Sequence, residues 1–130
     1  MRPLLHETML ELAFAWSKRG TCAKRQVGCV IADIKGNVIS SGYNGQPRGT
    51  IHCTLEAPCP AFDNADLSCV AIHAEINALI RCADVDKAHT IYVTTEPCEK
   101  CMLAIKNTAI EKVIYPNPRG SFWILKIGRT

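Results

Sequence analysis

Aromatic residues are scarce in this 130-residue chain, at 6% of positions, and its net charge of +3 is small. A surface that stacks nucleic-acid bases needs aromatic platforms, and one that tracks phosphates needs a stronger basic bias. No nucleic-acid partner is therefore expected, and a small anionic substrate suits the mild positive balance better. No stretch approaches the roughly 18–20 apolar residues of a membrane span, so no membrane partner is expected either. The opening segment, MRPLLHETMLELAFAWSKRG, is broken by Glu7 and Glu11 and has no small-residue cleavage site, so it does not read as a secretory leader. Low-complexity tracts, internal repeats and linkers are missing too. The expectation is one domain over residues 1–130, long enough to bury roughly two thirds of the surface its unfolded form would expose.

What the chain does have is cysteine, eight of them. A domain of this length needs no disulfide scaffold, so the thiols are expected in a reducing cytoplasm, where clustered cysteines bind metal more often than each other.

Helical spacing of Leu5, Met9, Leu12, Ala13 and Trp16 predicts a helix over 4–18, stopped by Gly20. Two β-branched runs, 27–33 and 37–41, flank a turn at KGN and predict a hairpin. From Gly42 to Ser68 the chain turns to Gly, Pro, Asn, Asp and Cys, and a loop this long is usually functional or pinned. Ile72, Ile76, Leu79 and Ile80 place a helix over 70–83, HTIYVTT is a strand, PCEKCMLAIKNTA a helix with Pro97 in its first position, and EKVIYP a strand. The terminal GSFWILKIGRT suits a short helix or a strand, with helix the expectation. The order implies an α/β fold: a three-layer α/β/α sandwich around a mixed sheet of four to five strands, the strands at HTIYVTT and EKVIYP parallel neighbours.

Within this frame, HAE at 73–75 and PCEKC at 97–101 spell H-x-E followed by P-C-x-x-C, the pattern of zinc-dependent nucleobase deaminases. The residue types fit that chemistry. The imidazole of His73 and the thiolates of Cys98 and Cys101 supply three of zinc's four tetrahedral positions and leave the fourth for water, as a catalytic site requires. A helix N-terminus favours the thiolate forms. His73 and Glu75 would point apart in mid-helix, so their joint use requires a site over the helix's N-terminal end. Glu75 would then act as proton shuttle, taking a proton from water and delivering protons to the ring nitrogen and the departing amine. Taken singly, C-x-x-C also suits a redox pair or packed thiols, and a His beside a Glu is commonly surface. Their order together is what specifies a deaminase.

Four segments, TCAKRQVGCVIA, SGYNGQPRGTIHC, HAEINAL and TTEPCEKCMLAI, make the chain resemble the deoxycytidylate (dCMP) deaminase family, within the cytidine deaminase-like superfamily, over roughly residues 4–116. GYNG followed by Pro and Gly is the specific part, since the two metal motifs are shared with deaminases of other rings. The resemblance implies hydrolysis of dCMP to dUMP and ammonia, supplying thymidylate synthesis. It further implies that Asn44 bonds the sugar, that the backbone of Ala74 approaches the base carbonyl, and that Arg48 and Arg25 are candidates for the 5′-phosphate. A homo-oligomer is implied, with a hexamer among its forms, and the apolar FWIL at 122–125 offers a contact surface. Where regulated members carry an aromatic and an arginine for a triphosphate effector, this chain has Arg81 and Asp84, and Arg119 stands where many members carry a second aromatic near the substrate. Two other readings stay open: a deaminase of cytosine, a modified dCMP or a pterin-like ring, and a catalytically silent zinc-stabilised binding module.

Cys22, Cys53, Cys59 and Cys69 lie outside the deaminase pattern. Brought together they would hold a second, structural zinc and order the long loop, with His52 able to replace one ligand. Similar cysteines in some family members hold such an ion; the alternative is four ordinary thiols. Cys29 and Cys82 read as small core residues.

Overall fold

The computed structural model describes residues 1–21, 25–45 and 72–128. The 46–71 stretch, with Arg48, His52, Cys53, Cys59 and Cys69, lies outside the described residues, as does Cys22. Helix α1 (Leu5–Ser17) leads into the hairpin β1 (Gly28–Ala32) and β2 (Val38–Tyr43); α2 (Ala74–Arg81), β3 (Thr90–Val93), α3 (Glu99–Lys106), β4 (Lys112–Pro116) and β5 (Phe122–Lys126) follow. The sheet order is β2-β1-β3-β4-β5. Only β3 and β4 are parallel, with α3 as their crossover, and the other neighbours run antiparallel.

Both faces of the sheet are covered. From β1 and β3, Val30, Ala32 and Tyr92 join Ile114 under Met9, Leu10 and Ala13 of α1. The alternate residues Cys29, Ile31, Ile91 and Val93 point the other way, joining Val113 against Ala74 and Ala78 of α2 and Ile105 of α3. Every residue of β1 and β3 is buried, which is why those strands read as continuous apolar runs with no polar alternation. Truncating one such side chain, Ile91 to Ala, would cost about 2–5 kcal/mol.

Turn chemistry closes the first hairpin. The Asp33 carboxylate accepts the N–H groups of Lys35 and Asn37 at 3.0 and 2.9 Å, and Gly36 takes a φ of 87° that side chains rarely adopt. These bonds hold the Asp33 carboxyl below its ordinary pKa.

Several expectations need correction. The segment 121–127 is not helical: FWILK is β5, paired antiparallel with β4. Asn117 decides this, its Oδ1 accepting the N–H groups of Arg119 and Ser121 while Gly120 takes a φ of 83°, a tight turn that folds the chain straight back. Helix α1 buries Met9, Leu10, Ala13 and Ser17, leaving Leu5, Leu12 and Trp16 exposed. The apolar stripe is broader than the strip of sheet beneath it, so the buried line falls one position aside. Helix α2 starts at Ala74, not 70, and its Ile80 faces solvent. Pro97 precedes α3 without joining it, because Cys98 is the extended N-cap residue.

Candidate metal centre

Two helices begin at one place. His73 caps α2 in an extended conformation (φ −65°, ψ 150°), and Cys98 does the same for α3 (φ −70°, ψ 168°). The Nδ1 atom of His73 lies 3.3 Å from Sγ of Cys101 and 3.6 Å from Sγ of Cys98. Tetrahedral zinc with bonds of about 2.3 Å to sulfur and 2.0–2.1 Å to nitrogen separates such donors by roughly 3.5 Å, so the donor set fits the ion. Among the described residues these three form the one group of metal-ligating side chains close enough together to share an ion.

Glu75, the second residue of α2, is 3% exposed. His73 and Glu75 both bear on Cys101, the first through Nδ1 and the second through its carboxylate, as a site over the helix end requires. Burial raises the Cys101 thiol well above its ordinary pKa, and the negative charge of Glu75, together with hydrogen bonding and charge from Cys98, pushes it further. Cys29, from β1 beneath the site, is raised by burial first and then by Glu75 and Cys101. Thiols packed against a carboxylate in this way ionise when a bound cation reverses the local field.

The position of α2 is set by polar ties to β2. Asn77 Nδ2 donates to the Tyr43 carbonyl at 2.9 Å, and Ser40 Oγ donates to the Ala78 carbonyl at 2.7 Å. Gly45 and Ile72 exchange backbone bonds just before His73. At Gly42 any Cβ would meet Ala78 N at 2.7 Å and Ala74 O at 2.8 Å, so only glycine lets the helix come this close. In the sequence Asn77 carries one signal, an amide about one helical turn after His73.

The other expected site residues are distributed around this centre. Ala74 is fully buried as the first residue of α2, where the backbone N–H has no acceptor within the helix. Arg25 is exposed and donates to Thr95 Oγ1 at 2.8 Å, on the segment that leads into Cys98. Asn44 is placed differently from a free sugar ligand: its Oδ1 accepts the Val27 N–H at 2.8 Å and its Nδ2 donates to the Arg25 carbonyl at 2.7 Å. One N–H and one acceptor position of the amide are left over by these two bonds. Arg81 lies over the Tyr43 ring at 5.5 Å, as Arg19 does, and Trp16 stacks on the same ring.

A mixed sheet carrying two helix N-termini that present one histidine and two cysteines defines a zinc-binding deaminase architecture. The family model described as the cytidine and deoxycytidylate deaminase zinc-binding region matches residues 4–117, and the chain belongs to that family. It is 37% identical over 124 residues to the deoxycytidylate deaminase of Mycobacterium phage D29, covering 88% of this chain and 96% of that protein. The deoxycytidylate deaminase of Schizosaccharomyces pombe is also 37% identical, over 88% of this chain, but the chain spans only 37% of that relative's length. The fold matches the crystal structure of dCMP deaminase from the cyanophage S-TIM5 in apo form, with a TM-score of 0.70 and 27% identity over 90% of this chain and 86% of that one. The same enzyme in complex with dCMP and dUMP matches with a TM-score of 0.70 and 25% identity, over 88% and 82% of the two chains.

Proposed function

We propose that this chain, acting as one deaminase domain over residues 1–130, hydrolyses dCMP to dUMP and ammonia. The observation that carries the reading is the convergence of His73, Cys98 and Cys101 beside the buried carboxylate of Glu75. In this reading the three hold zinc, which when bound acts as a Lewis acid and brings the pKa of water toward about 7.

The chain's own groups carry the remaining steps. Glu75 takes a proton from the attacking water as its oxygen bonds to C4 of the cytosine, and gives that proton to N3. It then moves the second proton to the exocyclic nitrogen, the C4–N bond breaks, and ammonia leaves. Its burial keeps the carboxylate from being solvated away from this task. The backbone N–H of Ala74 is proposed to bind the base carbonyl oxygen, and Asn44 to offer its remaining N–H to the sugar. Arg25 and Arg48 are proposed for the 5′-phosphate, where a guanidinium can bond two oxygens at once.

Cytoplasmic residence fits thiolate ligands, which a reducing compartment preserves; no described helix is long and apolar enough to cross a membrane. A product role in supplying thymidylate synthesis and self-association of the chain, with a hexamer as one form, belong to the same reading. So does a second, structural zinc on Cys22, Cys53, Cys59 and Cys69. The test of substrate is ammonia release from cytosine, deoxycytidine, CMP, dCMP and dCTP. Preference for dCMP is expected, and release from none of them would contradict the reading.

A further inference from the structure

Among the described residues, strand β5 ends the sheet with one edge unpaired. It carries Trp123, Ile124 and Leu125 at 54, 44 and 42% exposure. Two flanking bonds set the phase of its ladder: Asn117 N–H donates to the Ser121 carbonyl at 3.1 Å, and Ile127 N–H donates to the Glu111 carbonyl at 2.9 Å. Bonded pairs alternate along an antiparallel ladder, so Ser121, Trp123, Leu125 and Ile127 turn their backbone groups toward β4. Phe122, Ile124 and Lys126 turn theirs outward.

Within the strand itself the usual protections are missing. It has no proline, its pairing with β4 runs without a register shift, and Lys126 is its one charge. The opposite edge of the sheet differs: the β1–β2 pairing is irregular at Ile31/Ala32, β2 carries Ser40, Ser41 and Gly42, and α2 is tied to it.

We propose that β5 pairs antiparallel with β5 of a second copy, about a two-fold axis at Ile124, joining two sheets edge to edge. This contact rests on the self-association proposed above and gives it a location. The strand is self-complementary in the required register. Ile124 falls opposite Ile124 of the second copy, Phe122 opposite its Lys126, and Trp123 opposite its Leu125. Outward-facing backbone meets outward-facing backbone at all three bonded pairs, giving about six hydrogen bonds at two per pair. The two lysines sit at opposite ends, each over an aromatic ring in cation–π range. Trp123 and Leu125 share the face of Val113, which α2 and α3 cover, whereas Ile124 shares the α1 face with Ile114. On that second face lies a groove of about 460 Å³ between α1 and the β4–β5 turn, lined by Leu4, Phe14, Pro116 and Phe122 together with Glu7 and Glu11 of α1. A two-fold contact uses up the edge on both copies, so it closes as a pair and builds only even-numbered assemblies.

The test is Ile124→Pro, which deletes an outward N–H and no bond to β4. Light scattering should give the wild type a mass of an even multiple of the chain, and the variant half that mass or less. Amide hydrogen exchange of the wild type should be slowed at least about tenfold at Phe122, Ile124 and Lys126 relative to the rates of the same residues in an unstructured peptide of the same sequence. An assembled wild type whose three amides exchange as fast as in that peptide, or an Ile124→Pro variant of unchanged mass, overturns the contact while self-association stands. A wild type that is monomeric at every concentration overturns both. If Ile124→Pro does not fold, the wild-type exchange decides.

Discussion

Nδ1 of His73 stands 3.3 Å from Sγ of Cys101, although 28 positions separate them in the chain. The contact joins the cap of one helix to the first turn of another: the Gly45–Ile72 bridge anchors the first beside the end of β2, and the second follows β3. Neither residue has to be held by a loop alone, so the donors are set before any ion arrives.

Removing one donor should therefore remove the ion. His73→Ala and Cys98→Ser are expected to lose one zinc per chain and with it the deamination of dCMP, as read by elemental analysis of the purified proteins. Cys59→Ser should instead lose only the second zinc, with activity retained. Equal zinc in Cys59→Ser and wild type would make the four additional cysteines plain thiols.

The Asn77 side chain meets no metal-donor atom; its backbone N–H donates to the His73 carbonyl at 3.0 Å, and its amide ties α2 to β2 at 2.9 Å. Asn77→Ala is expected to weaken zinc affinity by about 10- to 100-fold, the range for groups that orient metal ligands. Competition against a chelator measures this, and substitution by Co²⁺ should show a disturbed spectrum. Wild-type affinity in the variant would show that the β2 tie does not position His73.

Much of this centre was readable before the fold. H-x-E and P-C-x-x-C specify residue types and order, and the requirement that His73 and Glu75 converge over a helix end is geometry that follows from a two-residue spacing. The helix boundaries were less legible, because caps are single residues: Cys98 resembles any first-turn residue until its extended φ and ψ are seen. Strand β5 is hard to read for a related reason. Its apolar run FWIL has no decisive period, and the deciding signal lies outside it, in the Asn117 turn. The backbone bonds of Asn44 come from residues 17 and 19 positions away and have no local signature.

Phosphate recognition should divide binding from chemistry. Arg25→Ala and Arg48→Ala are each expected to raise KM for dCMP by about tenfold with little change in kcat, and to leave deoxycytidine kinetics as they were. Steady-state kinetics on both substrates check this. Equal losses on nucleotide and nucleoside would remove the arginines from the phosphate.

Acid should loosen the α1 layer. His6 Nδ1 lies 2.7 Å from the Tyr92 hydroxyl, and its pKa is lowered first by burial and then by the Lys112 charge. A depressed folded pKa means that the unfolded chain binds the proton more readily, so stability is present above the unfolded value of about 6.5 and falls as pH drops through and below it. Thermal melts at pH 7.5 and 5.5 should differ less for His6→Gln than for wild type. An unchanged difference would take His6 out of the acid response.

Glu75→Gln gives the most direct measurement, with zinc content and dCMP turnover read on the same preparation. The amide keeps the size of the side chain but cannot accept and redeliver a proton, so the variant should retain its zinc and lose about 10²- to 10⁴-fold in kcat. Turnover within a few-fold of wild type, or loss of the zinc along with the activity, would contradict the assignment of Glu75 as proton carrier.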